Sequence, residues 1–177
     1  YSSTGVWENG DTLDRPYFMV AGLEADYTET GTSRTQIVNN MVERLAGINY
    51  NFGNWDETND CWSCPANGFY KITGTVRGSS STTDVLRRFS TILSRYNSSD
   101  VFQEDIVFNG IDLNSETSSE ADLISATAVM IKYITQGDRI KLRANWEVSS
   151  GNLEIKGFSS TGEKTYLMVE RIVKGTY

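Results

Sequence analysis

Apolar and polar residues alternate along much of this chain with the two-residue period of a strand that has one face in a core and the other in water. From Phe69 to Arg77, one face carries Tyr70, Ile72, Gly74 and Val76, and the other Lys71, Thr73, Thr75 and Arg77. Between Arg88 and Tyr96, Phe89, Thr91 and Leu93 oppose Ser90, Ile92 and Ser94. The stretch Arg139 to Glu147 is clearest, with Ile140, Leu142, Ala144 and Trp146 on one side and Arg139, Lys141, Arg143, Asn145 and Glu147 on the other. Short segments of this kind, separated by Gly, Asn, Asp and Ser, predict an all-β antiparallel sandwich or barrel. Ile37, Met41, Val42 and Leu45 have helical spacing, but in an all-β context a strand containing Ile37-Val38 is expected.

Turn chemistry adds connections. Asn109-Gly110 lies between Ile106-Val107-Phe108 and Ile111-Asp112-Leu113, which predicts a type I′ hairpin. Gln136-Gly137-Asp138 reads as a second hairpin turn, and Gly151-Asn152 separates two further strands. Residues 1–14 are polar and read as an N-terminal arm, so the domain proper is expected over 15–177.

Two segments break the alternation by being apolar on both faces: Val129-Met130-Ile131 with Tyr133-Ile134, and Tyr166-Leu167-Met168-Val169. The outer face of such a strand must be covered, either by the chain itself or by another subunit. A subunit is the expectation.

Composition narrows the function classes. At 177 residues, with 38% hydrophobic residues, the chain can bury a core of its own. Its formal net charge of −7 repels a phosphate backbone, and no basic stripe offsets it, so no nucleic-acid partner is expected. Arg87, Arg88 and Arg95 are the nearest thing to a basic cluster and read as a solvated strand face. No apolar run approaches the ~20 residues of a membrane span, so no membrane insertion is expected. The absence of histidine removes Ser-His-Asp triads, Cys-His pairs and imidazole metal sites together.

The remaining candidates for chemistry are few. Cys61 and Cys64 have C-x-x-C spacing, but zinc would need two further ligands and the chain has no other Cys and no His. In an extended strand their Cα atoms would lie ~10 Å apart, beyond the ~7 Å reach of a disulfide, so two separate thiols are expected unless a turn intervenes. Asp56, Glu57 and Asp60, then Glu104 and Asp105, then Glu116, Glu120 and Asp122 form three acidic groups. Calcium could use such oxygen clusters, although none has EF-hand spacing; solvated loops are the expectation, and no cofactor. Paired acids could also serve a glycosidase, but nothing in the sequence brings a pair together, and no enzyme is expected. Tyr50, Phe52, Trp55 and Trp62 lie close together among Asn and Asp, which suits a surface binding site for carbohydrate or protein; the alternative is that they cap the sandwich end or fill a subunit seam.

Taken in order, several motifs resemble the C1q and tumour-necrosis-factor-like jelly-roll superfamily, particularly its bacterial and phage-encoded members. Arg15-Pro16-Tyr17-Phe18 resembles the opening strand, and Gln36-Ile37-Val38-Asn39-Asn40 the second. Trp62-Ser63-Cys64-Pro65-Ala66-Asn67-Gly68-Phe69-Tyr70 resembles the central Pro-x-x-Gly-aromatic-Tyr signature, Asn109-Gly110 the mid-domain hairpin, and Gln136 to Leu142 the Gly-Asp turn with its strand. Tyr166 to Val169 matches the last hydrophobic strand. The chain has no collagen-like tract and lacks the usual Phe-Ser-Gly-Phe ending. The resemblance implies a two-sheet jelly-roll sandwich assembled as a homotrimer, with Tyr133, Tyr166 and Met168 in the trimer seam. It implies a non-enzymatic module, expected on a phage or virus particle surface as a capsid decoration (cement) protein or fibre knob, with capsid or fibre proteins as partners. The alternative is a secreted C1q-like carbohydrate- or receptor-binding domain.

Overall fold

A computed structural model describes residues 18–31, 33–43, 54–80, 86–112, 124–149, 152–158 and 164–172. The described residues form thirteen strands in two antiparallel sheets and no helix. In chain order these are β1 (Phe18–Leu23), β2 (Tyr27–Thr30), β3 (Ser33–Ile37), β4 (Met41–Glu43), β5 (Trp55–Asp56), β6 (Cys61–Ser63) and β7 (Gly68–Ser80). There follow β8 (Leu86–Tyr96), β9 (Phe102–Asp112), β10 (Ile124–Ile134), β11 (Arg139–Val148), β12 (Asn152–Ile155) and β13 (Tyr166–Arg171). The polar arm at 1–14 and the opening residues 15–17 lie outside the described residues.

Each sheet is organised around one long strand whose second edge is shared. In the first sheet β10 runs along one edge of β7, and the other edge is divided between β13, opposite Tyr70–Thr75, and β12, opposite Gly78–Ser80. β1 and β4 extend this sheet beyond β13, and β2 extends it beyond β12. In the second sheet β8 runs along β11, and β6 and β3 share the far edge of β11. β9 closes the side beyond β8 and β5 the side beyond β6.

The predicted alternation sets the core. Tyr70, Ile72 and Val76 of β7, and Ile140, Leu142, Ala144 and Trp146 of β11, are all buried between the sheets. They meet Met19, Ala21, Leu23, Leu167 and Val169 from the first sheet and Phe89 and Leu93 from the second. At Gly74 the two sheets come close together. A Cβ there would lie 2.6 Å from Leu142 Cδ1 and 2.7 Å from Leu93 Cδ2, so the missing side chain makes room for both leucines. Strand prevails over helix as expected, but β3 ends at Ile37 and Val38 falls between it and β4, with Asn40 turning the chain at φ 60°; Leu45 lies outside the described residues.

Two turn expectations are corrected. Asn109-Gly110 is not a hairpin: it lies inside β9, where Asn109 faces Thr91 and Gly110 faces Ser90 of β8. Local turn chemistry is outweighed here by side-chain fit. The Ser90 hydroxyl occupies the space where a Cβ of Gly110 would be, and Asn109 Nδ2 donates to the Thr127 carbonyl at 2.6 Å. Gln136-Gly137-Asp138 is a tight turn, with Gly137 at φ 85° and the Asp138 amide donating to Thr135 O at 3.0 Å. It carries the chain from one sheet to the other, so β10 and β11 are not hairpin partners.

Candidate functional site: an apolar sheet face

Strand alternation sends one set of side chains from the first sheet away from the core. Cross-strand register arranges them in rows. Val20, Met168, Thr73 and Val129 form one row, and Glu170, Lys71 and Ile131 a second. Phe69 faces Tyr133 in a third row, their rings edge-to-face at 5.4 Å and 76°. Tyr166, Thr75 and Thr127 form a fourth, with the two threonine hydroxyls 2.9 Å apart. Tyr133, Tyr166 and Met168, the three residues assigned to a seam from sequence, therefore share one face.

This face is apolar where it is most open. Phe69 is 54%, Val129 52%, Ile131 64% and Tyr133 49% exposed. The residues of β10 that point the other way, Ala126, Ala128, Met130 and Ile134, are buried in the core. Apolarity on both faces of β10 is thus real, and only one face is covered by the described chain. Towards β4 the face is closed off, because the Phe158 ring lies over Gly22 and the Lys164 ammonium sits 4.6 Å above that ring.

A second exposed apolar position lies round the sheet edge. Phe108 of β9, 59% exposed, projects from the outer strand of the second sheet. β9 and β10, the strands at this side of the two sheets, are tied across the sandwich by the Asn109–Thr127 hydrogen bond and by Lys132 Nζ with Glu104 Oε1 at 2.7 Å. Val101 and Phe102, 55% and 49% exposed, stand at the β8–β9 turn. Sequence reasoning missed Phe69, Phe102 and Phe108. Alternation alone placed Phe69 opposite Tyr70, and the hairpin reading concealed the outward direction of Phe108.

The surface-binding expectation for Trp55 and Trp62 is corrected. Trp62 is fully buried, edge-to-face with Tyr70 at 5.0 Å, and Tyr70 donates to Ala66 O at 2.7 Å. Trp55 is 8% exposed and its indole N–H donates to Met41 O at 3.0 Å. A large ring beside a core strand gains more from burial than from water, and the indole N–H finds its partner inside. These two rings close the end of the sandwich. Tyr50 and Phe52 lie outside the described residues.

The titratable groups are engaged structurally. Cys61 and Cys64 are unbonded and buried. Burial pushes both thiols up, Cys64 to about 11 against weaker lowering by its hydrogen bonds. Asp56 accepts from the side chain and amide of Asn59 and from the Thr58 amide, which hold its carboxyl below the usual range. Asp60 accepts the Met41 amide at 2.9 Å, but burial dominates and raises it. The hydrogen bond from Lys132 lowers Glu104, which also pairs with Arg95 at 3.0 Å. Asp105 receives the Ser94 hydroxyl at 2.6 Å and Arg143 at 2.9 Å. Among the described residues no three acids or cysteines are grouped to hold a metal ion; Glu116, Glu120 and Asp122 lie outside them. No helix of the described residues is long and apolar enough to cross a membrane.

No family model and no curated relative matches the sequence. Solved structures do. The Eiger TNF structure from S. frugiperda has a TM-score of 0.62, covering 92% of this chain and 97% of that one at 13% identity. Murine APRIL, crystallised at pH 5.0, has a TM-score of 0.53, covering 89% of this chain and all 100% of its own at 14% identity. Identities this low speak to fold, and together with the two antiparallel sheets they establish the molecule as a TNF-like jelly roll.

Proposed function

We propose that the chain is a non-enzymatic interaction module that assembles as a homotrimer through the outer face of its first sheet. The observation that carries this is the row structure of that face, with Phe69, Val129, Ile131 and Tyr133 about half exposed or more in the protomer. A face that packed only on itself would give a two-fold pair, whereas a closed three-fold ring needs two different patches on each copy. Phe108, round the edge beyond β10, supplies the second patch. Tyr166 and Met168 lie deeper on the face and are covered as the ring closes. The ion-paired state of Glu104, Asp105 and Asp100 supports a structural role for these acids over a catalytic one.

The biological setting we infer is the surface of a phage or virus particle, as a capsid decoration protein or fibre knob docked on capsid or fibre proteins. The sequence resemblance to phage-encoded jelly rolls supports it, and three-fold display multiplies a weak docking contact. A secreted carbohydrate- or receptor-binding domain is the second reading, favoured by the exposed Val101–Phe102 tip. Native mass spectrometry tests the assembly: a species of three chains is expected, and a stable monomer would overturn the proposal. Peptides of this chain in purified particles would support the virion setting. Binding on a glycan or receptor array that is lost in Phe102→Ala would favour the secreted domain.

A further inference from the structure

We propose that the Lys71–Glu170 ion pair fixes the register and stoichiometry of the assembly, an inference that rests on the outer face of the first sheet being the seam. Lys71 Nζ lies 3.0 Å from Glu170 Oε2, with the side chains 43% and 37% exposed. The two residues face each other across β7 and β13, and Ile131 of β10 faces Lys71 from the other side. The row above holds Met168, Thr73 and Val129, and the row below holds Phe69 and Tyr133. Between the Thr75–Thr127 row and the Phe69–Tyr133 row, Lys71 and Glu170 are the only charged side chains that face outward among the described residues.

This arrangement has two consequences for a second copy. The chain carries a net charge of −7, so two copies repel each other, but the paired charges on this face cancel and add no further repulsion there. Once covered, the pair loses its water. One mutual bond leaves donors on the ammonium and lone pairs on the carboxylate unused, so a register that seats them against polar groups is strongly favoured over one that seats them against Ile or Phe. An uncharged seam would lack that discrimination. A single polar element in an apolar seam is known to select register and oligomer state at some cost in stability.

The test uses the full chain and the substitutions Lys71→Met, Glu170→Met and the double substitution, followed by light-scattering chromatography and native mass spectrometry across a dilution series. Circular dichroism confirms that each protomer still folds, as expected for half-exposed positions. Each single variant strands one charge in the seam and is expected to raise the concentration of half-dissociation by roughly tenfold to hundredfold. The double variant is expected to associate as strongly as the unsubstituted chain but to spread over several stoichiometries. Single variants that assemble like the unsubstituted chain, or a double variant that forms one sharp trimer, would overturn the inference while leaving the seam intact. An unsubstituted chain that is monomeric would remove the seam itself, and that result is separately visible.

Discussion

The Thr91 hydroxyl of β8 donates to the Ala126 carbonyl of β10 at 2.7 Å and accepts the Val76 amide of β7 at 3.2 Å. Thr91 is fully buried, so this one hydroxyl joins the two sheets through an otherwise apolar interior. Thr91→Val keeps the shape and removes the bond, leaving a buried carbonyl and amide short of a partner. The expected loss is about 1–3 kcal/mol, read as a lower urea midpoint with an unchanged slope. Thr91→Ser, which retains the hydroxyl, is expected to recover part of it.

Gly74 invites the opposite experiment. Gly74→Ala adds one methyl where Leu93 and Leu142 already meet, at a site with no slack. Overpacking of this kind costs about 1–3 kcal/mol. Pairing it with Leu142→Ala should recover stability relative to the sum of the two single changes, and a double-mutant cycle in urea checks this.

Ile131→Lys separates folding from assembly. The side chain is 64% exposed in the protomer, so stability of the isolated chain should change by no more than ~0.5 kcal/mol. Three ammonium groups would enter the proposed seam, and the expected result by light scattering is a folded monomer.

The thiols give a pH dependence of definite sign. Cys64 is raised from 9.0 to about 11 by burial, so the folded chain keeps a proton that the unfolded chain gives up in that interval. The stabilisation is complete below pH 9 and is lost as pH rises towards 11. Cys61 is raised as well and adds in the same direction. The fall in urea midpoint between pH 8.5 and 10.5 should be smaller in Cys64→Ala, and neither thiol should react with an alkylating reagent at neutral pH before unfolding.

The core was legible from the sequence because apolar residues follow a two-residue period: Ile140, Leu142, Ala144 and Trp146, like Tyr70, Ile72 and Val76, are all buried, although Lys141, Thr73 and Thr75 at alternate positions are buried as well. The double-faced apolarity of β10 and β13 was equally plain. Two things were not. Asn109-Gly110 carries a strong local turn signal, yet the partner that overrides it, Ser90, is distant in sequence and becomes visible only once β8 and β9 are paired. Likewise Trp55 and Trp62 sit among Asn and Asp, which suggests a wet loop. Their burial depends on Met41 and Tyr70, neighbours that only the fold supplies.

The ties between β9 and β10 bear on how the molecule avoids uncontrolled growth. Outer strands are the usual templates on which further chains add and from which fibrils extend. Here Asn109 occupies the Thr127 carbonyl and Lys132 is bound to Glu104, so an incoming strand would have to break a hydrogen bond and an ion pair before it could be templated. In the proposed assembly, these ties would leave the greasy face as the route of association and keep the strand edge closed to further addition.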